Sequence, residues 1–331
     1  MESMAEHQPS KVHQPPEIIV LGPPSVFKLY DKQFSSRFRV LRPWESPLSL
    51  PQFLAAEAQN TQAALISGLF RFTSAVLHHL PSLRLVVTTS AGINHIDLVE
   101  CRRLGIAVAN AASILSADVA DLAVGLLVDV LRRISAGNRF VKSGLWPMQG
   151  AYPLGFKLGG KKVGIVGLGS IGLYVAKRLE AFGCAISYSS RKEKPSVSYA
   201  FCPDIYKLAA NSDILVICCA LTEQTHHMIN REVLLALGKE GVLVNIARGA
   251  VVDEKELVSC LQSGEIGGAG LDVFENEPSV PKELHELDNV VMSPHCAVFT
   301  EESMRDLYEL MCGNLEAFFS NEPLLSLVPE E

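Results

Sequence analysis

The sequence predicts an α/β protein made of two Rossmann-like, doubly wound parallel-sheet domains, and three observations carry that expectation. First, the short apolar run Lys162–Val166 is followed by Gly167, Gly169 and Gly172 in G-x-G-x-x-G spacing, and Leu173 to Phe182 continues at helical period. Second, short apolar runs alternate with helical patterns on both sides of that stretch, which is the signature of a parallel sheet covered by helices. Third, at 331 residues and 48% hydrophobic composition the chain has room for two cores.

Taken in order, Met1 to Pro16 is polar, carries Glu, His and Pro, and lacks the apolar centre of a signal peptide. It is expected to be a disordered tail. Strands are expected at Glu17–Leu21, Phe38–Leu41, Ala63–Ser67, Leu83–Thr88 and Ile106–Ala109, with helices at Leu50–Gln59, Thr73–His79 and Ile96–Leu104. This unit has no glycine fingerprint, so it is assigned to the second substrate. From Ser116 to Gly144 apolar residues recur at three- and four-residue steps (Val119, Leu122, Ala123, Leu126, Leu127, Val130, Leu131, Ile134), which predicts one long amphipathic helix with Ser116 as its N-cap. Such a helix either buries its stripe within its own subunit or packs on a second subunit. A Gly- and Pro-rich loop, 144–161, carries Trp146.

Past the fingerprint, strands are expected at Ala185–Tyr188, Asp213–Cys218, Gly241–Ile246, Gly268–Val273 and Asn289–Met292. Helices are expected at Arg231–Leu237 and Asp253–Gln262, and a closing helix, Thr300 to Phe319, is expected to fold back onto the first domain. The predicted division is therefore 17–112 with 296–331 for a discontinuous, flavodoxin-like substrate domain, and 113–295 for the dinucleotide-binding domain.

The three glycines of the fingerprint supply a tight turn, a bare backbone beside a pyrophosphate, and close helix–strand packing. The helix start offers unpaired N–H groups and a positive dipole end to phosphates. The acidic residue that takes the ribose 2′-OH of NAD usually lies about 20 residues on. Here Ser190 stands 18 residues past Gly172 (190 − 172), followed by Arg191 and Lys192. A hydroxyl and two cations suit a 2′-phosphate, so NADPH is the expected cofactor.

Three polar residues stand at or beyond strand ends: Arg248, Glu277 and His295. In open α/β sheets the ligand crevice lies outside the carboxyl ends of the strands, which brings them to one rim. Together they suit 2-keto acid reduction. A guanidinium fork grips the carboxylate and polarises the keto oxygen, an imidazolium donates the proton, and a carboxylate favours and orients the charged imidazole.

Six spaced motifs stand in order along the chain: Ala-Gly-Ile-Asn-His-Ile-Asp at 91–97, Val-Ala-Asp-Leu-Ala at 119–123, Gly-Leu-Gly-Ser-Ile-Gly at 167–172, Asn-Ile-Ala-Arg-Gly at 245–249, Gly-Leu-Asp-Val-Phe-Glu-Asn-Glu-Pro at 270–278 and Ser-Pro-His at 293–295. Together they resemble the D-isomer-specific 2-hydroxyacid dehydrogenase family, and most closely its branch of hydroxyphenylpyruvate and glyoxylate/hydroxypyruvate reductases. The likeness runs from about Leu83 to Asn314 and is weaker before that. It implies that Arg248, Glu277 and His295 are the catalytic set, with His295 the proton donor, and that Asp272 holds the nicotinamide carboxamide. It also implies that the N–H groups of Ala91 and Gly92 bind the substrate carboxylate. Trp146 resembles a position that can reach a partner's active site, which favours a homodimer.

The expected cofactor contacts are Gly167, Leu168, Gly169, Ser170, Ile171, Gly172, Ser190, Arg191, Lys192, Ile246 and Asp272; the expected substrate contacts are Ala91, Gly92, Trp146, Arg248 and His295. The sequence departs from the family pattern at Asp121, where many relatives have Glu, at Ala220, which replaces a Pro, and after His295, where Cys-Ala-Val-Phe-Thr brings Phe299 towards the pocket wall. His95 is taken as structural.

The net charge of −7, without a basic tract, argues against nucleic acid, and no apolar run is long enough to span a membrane. The eight cysteines lack a C-x-x-C and are expected to be reduced and buried, Cys218 and Cys219 within a strand, as suits a cytoplasmic protein. No metal-ligand cluster is visible, which argues against a zinc-dependent dehydrogenase. The activity expected is NADPH-dependent reduction of a 2-keto acid, whether glyoxylate, hydroxypyruvate, hydroxyphenylpyruvate or a sugar-derived acid such as a 2-ketogulonate, to the D-2-hydroxy acid. Two rivals share the fold: a nucleotide-sensing corepressor, and 3-phosphoglycerate dehydrogenase, against which the chain's end at 331 argues.

Overall fold

The computed structural model describes residues 14–329, so most of the tail expected at 1–16 lies outside the described residues. The chain forms two compact units. One comprises the residues up to Ala112 together with those from Arg305 onward, and the other runs from Ser113 to Met304. The second boundary falls inside the closing helix Glu301–Phe319 rather than at 295/296. The reason is visible in the packing: Ala297 is 8% exposed within the apolar core of the second unit, and the Cys296 and Ala297 amides are bonded to Asp272.

The first unit is a five-stranded parallel sheet. Its strands are β1 (Glu17–Leu21), β2 (Arg39–Leu41), β3 (Ala63–Ile66), β4 (Leu85–Thr88) and β5 (Ala107–Ala109), in the order β2-β1-β3-β4-β5. This is the flavodoxin-like order. β1, β3 and β4 are near-continuous apolar runs because helices cover both faces and leave no side for polar residues. One face packs Ile19, Leu21, Ala64, Ile66 and Val86 on Phe53, Leu54, Leu77 and Cys101. The closing helix belongs to this unit from Arg305 on, where Tyr308 stacks on Tyr30 at 4.6 Å and Glu316 pairs with Arg37 at 2.8 Å.

The second unit is a seven-stranded parallel sheet. It holds β6 (Lys162–Val166), β7 (Ala185–Ser189), β8 (Ala200–Phe201), β9 (Ile214–Ile217), β10 (Val242–Asn245), β11 (Gly268–Leu271) and β12 (Val290–Met292), in the order β12-β11-β10-β9-β6-β7-β8. The chain therefore leaves β6 in one direction and returns on its other side at β9, which makes β6/β9 the switch point of a doubly wound sheet. Ser116–Arg132 lays its apolar stripe, with Val119, Ala123, Leu126, Leu127 and Val130, against β10, β11 and the helix Ser170–Ala181 on one face. Leu208, Leu234, Leu257 and Leu261 cover the other.

The single long helix expected over 116–144 is two helices, Ser116–Arg132 and Ile134–Lys142, broken at Arg133, whose φ of +55° is left-handed. Leu115, not Ser116, is the N-cap; Ser116 is already helical and buried. The loop expected at 144–161 contains a short helix, Trp146–Gln149. Cys218 and Cys219 lie just past β9 rather than within it, and only four of the eight free cysteines are buried. The helices Ser25–Leu29, Asp31–Arg37 and Ile205–Ala210 were not expected. The last of these announces itself by Asp204, whose carboxylate caps the Lys207 amide. Among the described residues no helix is long and apolar enough to cross a membrane.

Candidate active site

The glycine loop lies at the switch point. Gly167 adopts φ +94°, and a Cβ there would lie 2.7 Å from the backbone of Cys219 beyond β9, so turn and close approach both demand glycine. A Cβ on Gly172 would lie 2.2 Å from the Gly167 carbonyl oxygen, which is the close contact of helix start on loop. Gly169, the N-cap of Ser170–Ala181, differs: a Cβ there would meet nothing within 4 Å. Its bareness serves no internal contact. Leu168 is buried beneath the loop, whereas Ser170 is exposed and Ile171 half-buried at the first helical turn. Open backbone at a helix N-terminus, at the crevice of a doubly wound sheet, fits a dinucleotide pyrophosphate.

Ser190, Arg191 and Lys192 follow β7, the neighbour of β6. The Ser190 hydroxyl donates to the Lys192 carbonyl at 2.5 Å. That hydrogen is spent on the turn, so the free donors at this strand end are Arg191 and Lys192, both exposed and without an ion-pair partner among the described residues.

Arg248, Glu277 and His295 emerge from three adjacent strands, β10, β11 and β12. The turn after β10 is built by Asn245, which is 1% exposed; its side chain accepts from the Ala247 amide and donates to the Arg248 carbonyl. Gly249 then lies so close to the loop after β11 that a Cβ would sit 1.9 Å from the Phe274 carbonyl carbon. Ile246 is buried in the same turn. The Arg248 guanidinium is half-buried and bonded through Nη1 to the Ala247 carbonyl at 2.6 Å; its other donors meet no acceptor among the described residues. Burial lowers it from its ordinary value, with the charge of Glu277 acting in the opposite sense.

Asp272 follows β11 directly, is 1% exposed, and accepts from the Ser293 hydroxyl and the Cys296 and Ala297 amides. The sequence offers it as a nicotinamide ligand, but its side chain first of all pins the turn after β12, with roughly one of its four acceptor positions left over. That turn holds His295 in the left-handed region at φ +50°, with its amide on the Asp272 carbonyl. His295 Nδ1 meets Glu277 Oε2 at 2.7 Å, while Glu277 Oε1 accepts the Phe274 amide at 2.9 Å. Burial alone would raise the Glu277 carboxyl. The hydrogen bonds from His295 and Phe274 and the charges of His295 and Arg248 outweigh it and hold the group below its ordinary value. Nε2 of His295 has no partner among the described residues, so the carboxylate aims a free ring nitrogen outward.

In the first unit, Ala91 and Gly92 follow β4. The Ala91 carbonyl accepts from Asn110 and the Gly92 carbonyl from Ser90, which leaves both amides without a partner among the described residues. His95 bonds Thr88 Oγ1 at 2.9 Å, in line with a structural role. Trp146 is 59% exposed, and no hydrogen bond or ring contact among the described residues ties it to Arg248, Glu277 or His295. Phe299 is likewise exposed, and Asp121 pairs with Arg178 at 2.6 Å.

One group escaped the sequence. His227 Nε2 meets Glu275 Oε1 at 2.9 Å, and His226 stacks on His227 at 4.0 Å, so three ligand-type atoms lie within 4.8 Å of one another. The rings are near parallel, which keeps their in-plane lone pairs from converging as a tetrahedral zinc site requires. Adjacent histidines 48 residues from their glutamate left no spacing to read.

Residues 124–297 match the model of the D-isomer-specific 2-hydroxyacid dehydrogenase NAD-binding domain. The chain is 54% identical to a glyoxylate/hydroxypyruvate reductase of Arabidopsis thaliana, over 95% of this chain and 98% of that one. It is 45% identical to the hydroxyphenylpyruvate reductase of Plectranthus scutellarioides, over 94% and 98%. Among solved structures it resembles an NADPH-dependent glyoxylate/hydroxypyruvate reductase from Sinorhizobium meliloti, in complex with NADP and malonate, with a TM-score of 0.88 and 34% identity over 95% and 97%. The matched domain and the identity over nearly the whole length of these relatives show that the chain belongs to the D-isomer-specific 2-hydroxyacid dehydrogenase family.

Proposed function

We propose that this protein is a reductase that converts a 2-keto acid to the D-2-hydroxy acid with NADPH. The observation that carries the reading is a pair of unspent groups at the carboxyl ends of β10 and β12, the two strands that flank β11. One is a half-buried guanidinium with no carboxylate partner among the described residues, and the other is an imidazole held on Nδ1 by a carboxylate and free on Nε2. Arg248 grips the substrate carboxylate and polarises the C2 oxygen. The nicotinamide, when bound, supplies the hydride to C2. His295 carries a proton on Nε2 and gives it to the oxygen as negative charge develops there, and Glu277 favours the charged ring and fixes its orientation. The open backbone at Gly169 is assigned to the pyrophosphate, and Arg191 and Lys192 to the 2′-phosphate. The remaining acceptor position of Asp272 is assigned to the carboxamide. Glyoxylate, hydroxypyruvate and hydroxyphenylpyruvate are the substrates to test, since the named relatives are reductases of these acids. The compartment assigned is the cytoplasm, on the strength of free cysteines and the absence of an apolar spanning helix among the described residues.

The test is loss of NADPH absorbance on adding each keto acid, ranked by kcat/KM. One charge-assisted hydrogen bond is worth about 1.5–3 kcal/mol, so NADPH should be preferred over NADH by about tenfold or more. Arg191→Ala should narrow that ratio. Equal use of both cofactors by the unaltered protein would remove the 2′-phosphate assignment. His295→Gln should lower kcat by about 10²–10⁴ with little change in NADPH affinity. Near-full kcat with chemistry rate-limiting would require another proton donor.

A further inference from the structure

We propose that His227 is a positioning residue that ties the loop bearing Arg248 to the loop bearing Glu277; the inference rests on the catalytic roles assigned above. His227 grips both loops at once. Its backbone N–H donates to the Ala250 carbonyl at 2.9 Å, two residues past Arg248, and the register continues as Ile229 pairs with Val251 and Val252. Its ring Nε2 meets Glu275 Oε1 at 2.9 Å, two residues before Glu277. Glu275 is also held at its backbone, where its amide donates to Glu254 Oε2 at 3.0 Å. Glu254 is 9% exposed. Burial, with the nearby charges of Glu275 and Glu277, raises it from its ordinary value.

The backbone at His227 adds to the case. At φ +51° it stands in the left-handed region that a residue with a Cβ occupies at a cost, and such conformations persist where the surroundings over-determine them. Here the surroundings are the two loops. Gly249 lies against the Phe274–Glu275 backbone, and His227 binds the Glu275 side chain at the same junction. The charged and titratable groups that face this junction are Arg248, Asp253, Glu254, His226, Glu277 and His295; Asp253 Oδ2 lies 3.9 Å from His227 Nδ1. With His227 in place, the 274–277 loop is anchored two residues from the carboxylate that aims His295. Without it, the loop keeps its backbone tie to Glu254 and Glu277 keeps the Phe274 amide, but the side-chain tie from Glu275 to the loop bearing Arg248 is lost.

The experiment compares His227→Phe, which keeps a ring and loses both nitrogens, with His227→Gln, whose amide can still donate to Glu275. Measurements are kcat and KM for the best keto acid, NADPH affinity by fluorescence, and Tm. His227→Phe should lower kcat by about 10–100-fold, the scale of small misplacements at a reacting centre, while KM and NADPH affinity stay within about twofold. His227→Gln should recover most of the kcat. A folded His227→Phe enzyme with kcat unchanged overturns the proposal. So does a loss of activity that tracks Tm and is not rescued by Gln. Should His227→Phe fail to fold, Glu275→Leu removes the same contact from the other side, and an unchanged kcat there overturns it equally. His295→Gln is run in parallel. If that variant keeps full activity, the reading of the site has failed; if it is impaired while His227→Phe is not, only this inference has.

Discussion

Two glycines of one motif serve different physical ends, and the difference predicts different phenotypes. An alanine at 172 drives a Cβ to 2.2 Å from a backbone oxygen, so Gly172→Ala should distort the loop and lower both Tm and NADPH affinity. At 169 the added methyl meets nothing of the protein, and φ is an ordinary −77°. Gly169→Ala should therefore keep its Tm and lose NADPH affinity by about tenfold or more, since only a bound pyrophosphate would feel the methyl. Thermal melts beside fluorescence titrations separate the two, and full affinity in Gly169→Ala would remove the pyrophosphate from this loop. Glu277 makes a second test. Its folded-state value lies below its ordinary value, so the stability it contributes is complete above about pH 4.3 and is lost as pH falls from there. Glu277→Gln should flatten the acid arm of the Tm profile. In catalysis the same change weakens the acceptor that aims the His295 ring, so reductive kcat should fall by about tenfold or more. An unchanged kcat in Glu277→Gln would remove that orienting role.

At the scale of elements, the break at Arg133 shows where periodicity misleads. The apolar steps continue through Ile134, yet the chain turns left-handed at Arg133, and Ile134 is left 54% exposed. The Ser135 hydroxyl and amide both reach back to Asp129, and Tyr152 donates to the Arg133 carbonyl, so local polar contacts fix the turn. Left-handed backbone costs a residue with a Cβ about 1–2 kcal/mol, more than the roughly 0.4–1 kcal/mol that glycine adds to unfolded-chain entropy. Arg133→Gly should therefore raise the unfolding free energy by up to about 1 kcal/mol, and it also deletes a buried Nε that lacks a partner among the described residues. Arg133→Ile should lower it by about 1–2 kcal/mol, since a β-branched residue is least tolerated there. Denaturant unfolding of the two variants checks the sign, and identical stabilities would mean that the turn relaxes.

For the molecule as a whole, the helix Ser116–Arg132 is not the free apolar stripe that its sequence suggests. Val119, Ala123, Leu126, Leu127 and Val130 are buried within their own unit. The exposed apolar side chains come later, at Ile134, Val141, Trp146, Met148, Leu154 and Phe156, and a run of this kind marks an interface more often than open surface. A two-fold homodimer through this segment is the expected assembly. Light scattering should return about twice the chain mass of 36.0 kDa, and Trp146→Glu with Leu154→Glu should shift it towards one chain. A mass of one chain for the unaltered protein at micromolar concentration would exclude the dimer.

Much of this protein was already determined by its sequence. Parallel order follows from apolar runs separated by helical patterns, because strands covered on both faces leave no room for alternation. Arg248, Glu277 and His295 could be placed at one rim because parallel strands share a carboxyl end, and that rule needs no coordinates. What the tertiary structure alone decided are the contacts between loops that follow different strands. Cys219 against Gly167, Glu254 and His227 against Glu275, and Asp272 on the 293–297 turn all join residues far apart in sequence. No local periodicity encodes them, for each depends on how close two backbones come once the sheet has set its spacing. The turn at Arg133 and the burial of Asp272 are of the same kind. A side chain's partners are fixed by packing, and only the packed chain shows whether a polar group is spent on the fold or left free for a substrate.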